Sequence, residues 1–275
     1  MSTPPRTAII TGAAQGVGKA IALRLSTDGC QVVVSDSTSQ KLLLDELVSK
    51  ITRTGRAAIS VTADVSVESD VEDLVAKTVA HFGSIDIMVA NDGAIAQSAH
   101  TILDTSVEEW GRVFDPNVTN TLLCYKTAAR AMIKQNRGGR IIGVCSSGEK
   151  SRCNARSTNN AIRGLTQIAA CEWEKYGITV NGYAPGASDA PLVQQMDARV
   201  ADLLHAGPEA YVEIMKTQTA FGRVNRPEEV VCVVSFLASE EAAFMTDSYI
   251  QQWALFNLVR RPCSNSGTIQ LRSKC

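Results

Sequence analysis

The sequence predicts a single-domain α/β protein built on a doubly wound parallel sheet with helices on both faces, and three observations carry that prediction. Short β-branched runs alternate with longer stretches of helical periodicity. Each run is apolar throughout, as a strand covered on both faces must be. A glycine-rich turn follows the first run directly and leads into a helical pattern. At 275 residues, with 45% hydrophobic and 20% charged side chains, the chain is long enough to bury one full core.

In chain order, strands are predicted at 7–10, 31–35, 57–62, 86–90, 139–145 and 178–182. Between them, 19–28 carries Ile21, Ala22 and Leu25 on one helical face, and 68–82 carries Val71, Leu74, Val75, Val79 and Phe82 at three-and-four spacing. Strand–helix alternation of this kind requires right-handed crossovers, and it puts a ligand crevice beyond the carboxyl ends of the strands. There is no internal repeat and no low-complexity linker.

Composition narrows the function classes. A formal net charge of −1 without a long run of like charge argues against nucleic acid as a partner. The start, Met1-Ser2-Thr3-Pro4-Pro5-Arg6, lacks the apolar core of a secretory signal, and no eighteen apolar residues run uninterrupted, so a cytoplasmic protein with no membrane segment is expected. Eight cysteines are scattered without a Cys-x-x-Cys pair and read as reduced, packed thiols. His81, His100 and His205 make no ligand spacing, so no metal site is expected, and surface or helix-end positions suit them.

The chemistry is concentrated at predicted strand ends. In Thr11-Gly12-Ala13-Ala14-Gln15-Gly16-Val17-Gly18 the three glycines permit a tight turn, a close backbone approach to phosphate oxygens and close helix–strand packing. The unpaired amides that open the next helix then face a pyrophosphate. Asp36, eighteen residues after Gly18 at the end of the second strand, suits the hydroxyls of an adenosine ribose and repels a 2′-phosphate, which favours NAD over NADP. The alternative for Asp36 is an ordinary turn or cap aspartate. Asp64, followed by Val65 at the end of the third strand, either holds the adenine edge or caps the helix near Glu68. Asn91-Asp92-Gly93 ends the fourth strand in a polar loop with a glycine where a ligand or a neighbouring strand comes close. A structural turn also explains that loop.

These elements resemble the short-chain dehydrogenase/reductase family over roughly residues 6–245. The resemblance rests on the glycine turn, Ala90-Asn91-Asp92-Gly93, Asn117 in Pro116-Asn117-Val118, Gly139-Arg140-Ile141-Ile142 leading to Ser146-Ser147, and Asn181-Gly182-Tyr183-Ala184-Pro185-Gly186. Arg163-Gly164-Leu165-Thr166 and Arg226-Pro227-Glu228-Glu229-Val230 agree alongside, and the whole is similar to fungal-type diacetyl or acetoin reductases. The resemblance implies a Rossmann-like fold and a nicotinamide cofactor held by Gly12, Gln15, Gly16, Val17, Gly18, Asp36, Asp64, Val65, Asn91, Gly93, Pro185 and Gly186. It also implies a small alcohol or carbonyl substrate, and a homodimer or homotetramer formed through helices at 117–136 and 157–175. Ser147 matches the serine that hydrogen-bonds the substrate oxygen, and Asn117 the asparagine that relays through water. Asn117 read locally opens a helix, as a cap or as a kink-stabilising residue.

One departure limits what the resemblance implies. Counted back from Arg163-Gly164, the family's Tyr-x-x-x-Lys falls on Ala155 and Asn159, and no tyrosine lies between Ser147 and Tyr176. A methyl donates no proton, and a carboxamide carries no charge to lower a neighbour's pKa. The loop 148–156 is also shorter than the family's. Its Lys150, Arg152 and Arg156 read as a solvated basic loop, with an anion-orienting cluster as the alternative, and Tyr183 reads as a packing residue. Ala190 stands where the family offers a threonine to the nicotinamide amide. Residues 1–247 form the dinucleotide-binding domain on this reading, and 248–275 a divergent tail that is either an altered final strand with a disordered end or a frame-shifted sequence. Substrate specificity is expected around 192–219, where Leu192, Val193, Met196, Val200, Leu203 and Leu204 form a helical apolar pattern that reads first as packing. Three functions compete: an impaired NAD-dependent oxidoreductase, an NAD-binding pseudo-enzyme acting as a regulatory or silent subunit, and a defective relative without activity.

Overall fold

The computed structural model describes residues 4–93, 102–145, 153–186, 207–219 and 221–252. Within them seven strands form one sheet in the order β3-β2-β1-β4-β5-β6-β7, every neighbouring pair parallel. The strands are β1 (Thr7–Ile10), β2 (Gln31–Asp36), β3 (Ala58–Thr62), β4 (Ile87–Ala90), β5 (Gly139–Val144), β6 (Ile178–Pro185) and β7 (Tyr249–Gln252). The described helices are α1 (Gly16–Thr27), α2 (Lys41–Thr52), α3 (Glu68–Phe82), α4 (Val107–Phe114), α5 (Asn120–Gln135), α6 (Cys153–Trp173), α7 (Ala210–Gln218) and α8 (Pro227–Ala238).

Alternation along each strand divides the core into two layers. Ala8 and Ile10 of β1, Val32 and Val34 of β2, and Ile87 and Val89 of β4 meet Ile21 and Leu25 of α1, Leu44 and Leu47 of α2, and Val230 and Val234 of α8. The intervening Ile9, Val33 and Met88 meet Val71 and Leu74 of α3, Leu123 and Met132 of α5, and Ala169 of α6. With period two along a strand, both faces being covered makes every position apolar, which is why these strands read as unbroken runs. The chain reverses between β3-β2-β1 and β4-β5-β6-β7, and the glycine turn lies at that switch between β1 and β4.

Several boundaries differ from the sequence expectation. β6 continues to Pro185 because β7 pairs with its last four residues, Gly182 with Tyr249 through Pro185 with Gln252. The segment beyond residue 248 therefore contributes a closing strand, tied to α8 by Gln252 Nε2 donating to the carbonyls of Glu229 and Val230. Residues 253–275 lie outside the described residues, as do 192–206 of the expected specificity segment. α1 starts at Gly16 rather than at 19, so two of the three glycines belong to its first turn. Among the cysteines, Cys124 and Cys145 are buried, whereas Cys171 and Cys232 are exposed, contrary to the packed reading. His81 sits in the last turn of α3, edge-on to Phe82. No described helix is long and apolar enough to cross a membrane.

Candidate functional site

The glycine turn owes its shape to two glycines with left-handed backbone, Gly12 at φ 60° and Gly16 at φ 57°, and to one forced contact. A Cβ on Gly18 would collide with the Gly12 carbonyl oxygen and come within 2.6 Å of Asn91 Nδ2, so only glycine lets α1 approach its strand this closely. The first helical bond of α1 runs from Lys19 N–H to the Gln15 carbonyl, at 3.3 Å. The amides of Gly16, Val17 and Gly18 ahead of it have no helical acceptor, and no acidic residue stands in the first turn. An amide cluster at a helix start, with its positive dipole end and no carboxylate to neutralise it, is built for an anion. These residues thus fit the pyrophosphate of a dinucleotide. Gln15 is exposed at the helix entry, while Val17 packs partly against the core.

Asp36 closes one side of the turn. Its Oδ2 accepts the Ala14 amide at 3.1 Å and its Oδ1 the Ser37 amide at 2.8 Å, which ties the end of β2 to the glycine turn and holds the carboxylate at the crevice edge. Asp64 is exposed after β3. Its Oδ1 takes both the Ser66 hydroxyl, at 2.6 Å, and the Ser66 amide, at 3.0 Å, and those bonds pull its carboxyl below the usual range. The helix-capping expectation for Asp64 thus takes the form of a turn leading to α3, whose N-cap is Val67. Val65 turns its side chain into the core beside Val71 and Leu74, leaving only its backbone for a ligand.

The opposite side is a bracket around Asn91. Its backbone amide donates to Thr11 Oγ1 at 3.1 Å, and its Nδ2 donates to the carbonyls of Thr11 and Gly12 at 3.2 and 3.3 Å. Its Oδ1 accepts the Tyr183 hydroxyl at 2.6 Å. The Asn91 side chain is thus committed to holding the turn. Asp92, not singled out from the sequence, also donates its amide to Thr11 Oγ1. Burial, reinforced by the carboxylates of Asp36 and then Asp64, pushes its carboxyl up to about 6. No local pattern marks it, because its neighbours arrive from three separate strand ends. The same holds for Tyr183, which is fully buried and 92 residues from its partner.

Asn117 lies next to this bracket, since a Cβ on Gly93 would sit 3.2 Å from Asn117 Oδ1. It does not open a helix. It occupies a wide π-type turn, Asp115–Thr119, inside a continuous helical path from α4 to α5. Its Nδ2 donates to the Val113 carbonyl at 2.7 Å, so the kink-stabilising alternative is the one observed. Pro116 stands beside it in the same segment, within the helical path from α4 to α5.

The remaining expectations concern β5, β6 and α6. Pro185 ends β6 and Gly186 follows it, both half-buried at the carboxyl edge. Ser147 and Ala190, with Lys150 and Arg152, lie outside the described residues. Positions 155 and 159 both belong to α6, one turn apart on one face. All five tyrosines of the chain are described. Tyr125 is buried against the Thr166 hydroxyl and Tyr183 against Asn91, and desolvation holds both phenols well above their ordinary value. Tyr176 lies before the amino end of β6 with Lys175 over its ring, Tyr249 lies under the Arg163 guanidinium, and Tyr211 is half-buried on α7. Cys145, directly after β5, has its thiol pushed up to about 12 by burial.

Comparison with known proteins places the chain in a family. The chain is 39% identical to a short-chain dehydrogenase/reductase of Armillaria gallica over 250 residues, covering 89% of this chain and 93% of the relative. It is 37% identical to an (S)-acetoin-forming diacetyl reductase of Staphylococcus epidermidis, covering 89% and 96%. Among solved structures, a variant of actinorhodin polyketide ketoreductase with NADPH matches at a TM-score of 0.83, with 26% identity over 92% of this chain and 98% of the other. The family model described as short chain dehydrogenase matches residues 6–201, and with the parallel sheet and the glycine turn this establishes that the chain belongs to the short-chain dehydrogenase/reductase family of oxidoreductases.

Proposed function

We propose that this chain binds NAD(H) in preference to NADP(H) and acts on a small alcohol or carbonyl, with hydride transfer slowed by an incomplete proton path. The observation that carries the cofactor half is Asp36, a carboxylate fastened to the glycine turn where a 2′-phosphate would meet its charge. The substrate class rests on the similarity to the diacetyl reductase.

When bound, the nicotinamide supplies or accepts the hydride. Around it, the amides of α1 would hold the pyrophosphate and Asp36 would accept the ribose hydroxyls, while Gly93 leaves room beside Asn117. By the family resemblance, Ser147 would hold the substrate oxygen, and Pro185 and Gly186 at the end of β6 would border the nicotinamide. What this chain's residues lack is the donor: Ala155 and Asn159 stand where the phenol and ammonium belong. Loss of a positioned acid–base group typically costs about 10²–10⁴ in rate.

The location of the tyrosines favours a second reading, a dinucleotide-binding subunit without turnover. Tyr125 and Tyr183 are buried with their hydroxyls engaged, and Tyr176 lies toward the amino end of the sheet. A relative with no retained activity is the third reading. A cytoplasmic homodimer or homotetramer fits all three, and the exposed Leu122 of α5 and Ile168 of α6 support pairing through those helices.

Calorimetric titration with NADH and NADPH, followed by NADH oxidation against diacetyl, acetoin and a ketone panel, separates the readings. NADH is expected to bind at least about tenfold more tightly than NADPH, through the unfavourable charge at Asp36. The reverse order would remove the Asp36 assignment. Slow turnover supports the first reading, binding without turnover the second, and no binding the third.

A further inference from the structure

We propose that Tyr183 is a positioning residue for the dinucleotide: by donating to Asn91 Oδ1, it orients the Asn91 amide so that the carbonyls of the glycine turn are held inward and its amides remain for phosphate. The proposal rests on the dinucleotide-binding reading above and adds a residue from β6, two strands from β4, to that site.

The argument starts from the symmetry of a carboxamide, whose two ends match in shape and differ only in donating or accepting. At Asn91 one end faces two carbonyl oxygens, those of Thr11 and Gly12, and only the NH₂ satisfies both. The other end faces the Tyr183 hydroxyl at 2.6 Å, a donor that only the oxygen satisfies. The phenol and the two carbonyls thus specify the same orientation. The carbonyls alone would leave a partly buried Asn91 oxygen without a donor, at the cost of an unmet hydrogen bond. Thr11 is held independently, its amide donating to the Val89 carbonyl and its hydroxyl accepting from Asn91 and Asp92. The Gly12 carbonyl has a tighter constraint, because it lies where a Cβ on Gly18 would be. If that carbonyl swings, the first turn of α1 moves with it.

Tyr183 is well placed to transmit this restraint. Its ring is fully buried in the layer containing Ile142, Val89 and Ala13, and its backbone is paired with Val144 on one side and Ile250 on the other. It stands two residues before Pro185, where β6 ends. One hydrogen bond therefore joins the strand that borders the expected nicotinamide end to the turn that holds the pyrophosphate.

The test is NADH titration by calorimetry on the parent, Tyr183→Phe, Asn91→Ala, the double variant and Asn91→Asp, with unfolding of each measured without cofactor. Tyr183→Phe is expected to weaken NADH binding about five- to tenfold. Asn91→Ala is expected to weaken it more, and Tyr183→Phe to add nothing in that background. Asn91→Asp still accepts the phenol but aims an oxygen at two carbonyls, so a pinned aspartate binds NADH more weakly than alanine does. Unchanged affinity in Tyr183→Phe, the same loss in the Asn91→Ala background, or equal affinities for Asn91→Asp and Asn91→Ala would each overturn the proposal. The last comparison keeps Tyr183 intact and decides the matter if Tyr183→Phe does not fold. A parent that binds no dinucleotide defeats the underlying reading instead, and the proposal with it.

Discussion

At the carboxyl ends of β1 and β4, Thr11 and the side chain of Asn91 have every polar atom partnered within 3.3 Å, whereas positions 155 and 159 of α6 carry a methyl and a carboxamide. The first region is one in which single changes propagate, because each group fixes another. The second lacks the phenol and ammonium that the family resemblance implies. The contrast suggests that holding a dinucleotide and moving a proton are separable properties of this fold: the first depends on backbone geometry at a strand switch, the second on two side chains of one helix.

The largest expected effect comes from breaking the first region. Gly18→Val puts a branched side chain against the Gly12 carbonyl and Asn91, and it is expected to lower NADH affinity more than a hundredfold while destabilising the protein by about 2–4 kcal/mol. Titration and thermal unfolding read the two effects. Near-parental affinity would mean that the close approach of α1 does not matter for binding.

A smaller effect comes from relieving a conflict within that region. Asp92 has a folded-state carboxyl at about 6 against an ordinary value of 3.8. A carboxyl raised on folding binds more protons in the folded state, so stability falls as pH rises from about 4 to 6 and stays reduced above. Asn at 92 carries no such penalty. Asp92→Asn is expected to raise unfolding free energy by about 1–3 kcal/mol at pH 8 and by much less at pH 4. Urea unfolding at both values checks this, and an equal gain at both would show that titration of Asp92 is not its source.

The smallest effect is expected in the second region. Ala155→Tyr with Asn159→Lys supplies the two side chains that the resemblance implies but leaves unchanged the loop 148–156, which the sequence reading takes to be shorter than the family's. Turnover of diacetyl should stay within about tenfold of the parent's, well short of the 10²–10⁴ that a positioned acid supplies. Full rescue would show that the loop does not matter and that the side chains alone separate the two regions.

What could be read in advance follows the same division. The central strands were readable because burial on both faces makes them uniformly apolar, and the glycine turn because positive φ and close approach demand glycine at 12, 16 and 18. β7 was offered only as one of two alternatives and without bounds, since Tyr249-Ile250-Gln251-Gln252 holds two glutamines and is defined by pairing with β6 and by Gln252 reaching α8. Asn117 was read as opening a helix, as a cap or a kink-stabilising residue, and only the tertiary structure, which carries the helical path through Asp115–Thr119, separates the two. Asn91 was recognised as part of the site, but its role in holding the turn depends on Thr11 and Tyr183, 80 and 92 residues away in sequence. Asp92 depends in the same way on Asp36 and Asp64.

The central claim, that dinucleotide binding persists while proton transfer is impaired, is tested most directly by NADH oxidation with diacetyl at a cofactor concentration shown by titration to saturate the protein. The Staphylococcus epidermidis diacetyl reductase, assayed alongside, sets the scale. The account predicts saturable NADH binding with a turnover at least about a hundredfold below that enzyme's. Turnover equal to it, from the unmodified chain, would contradict the account.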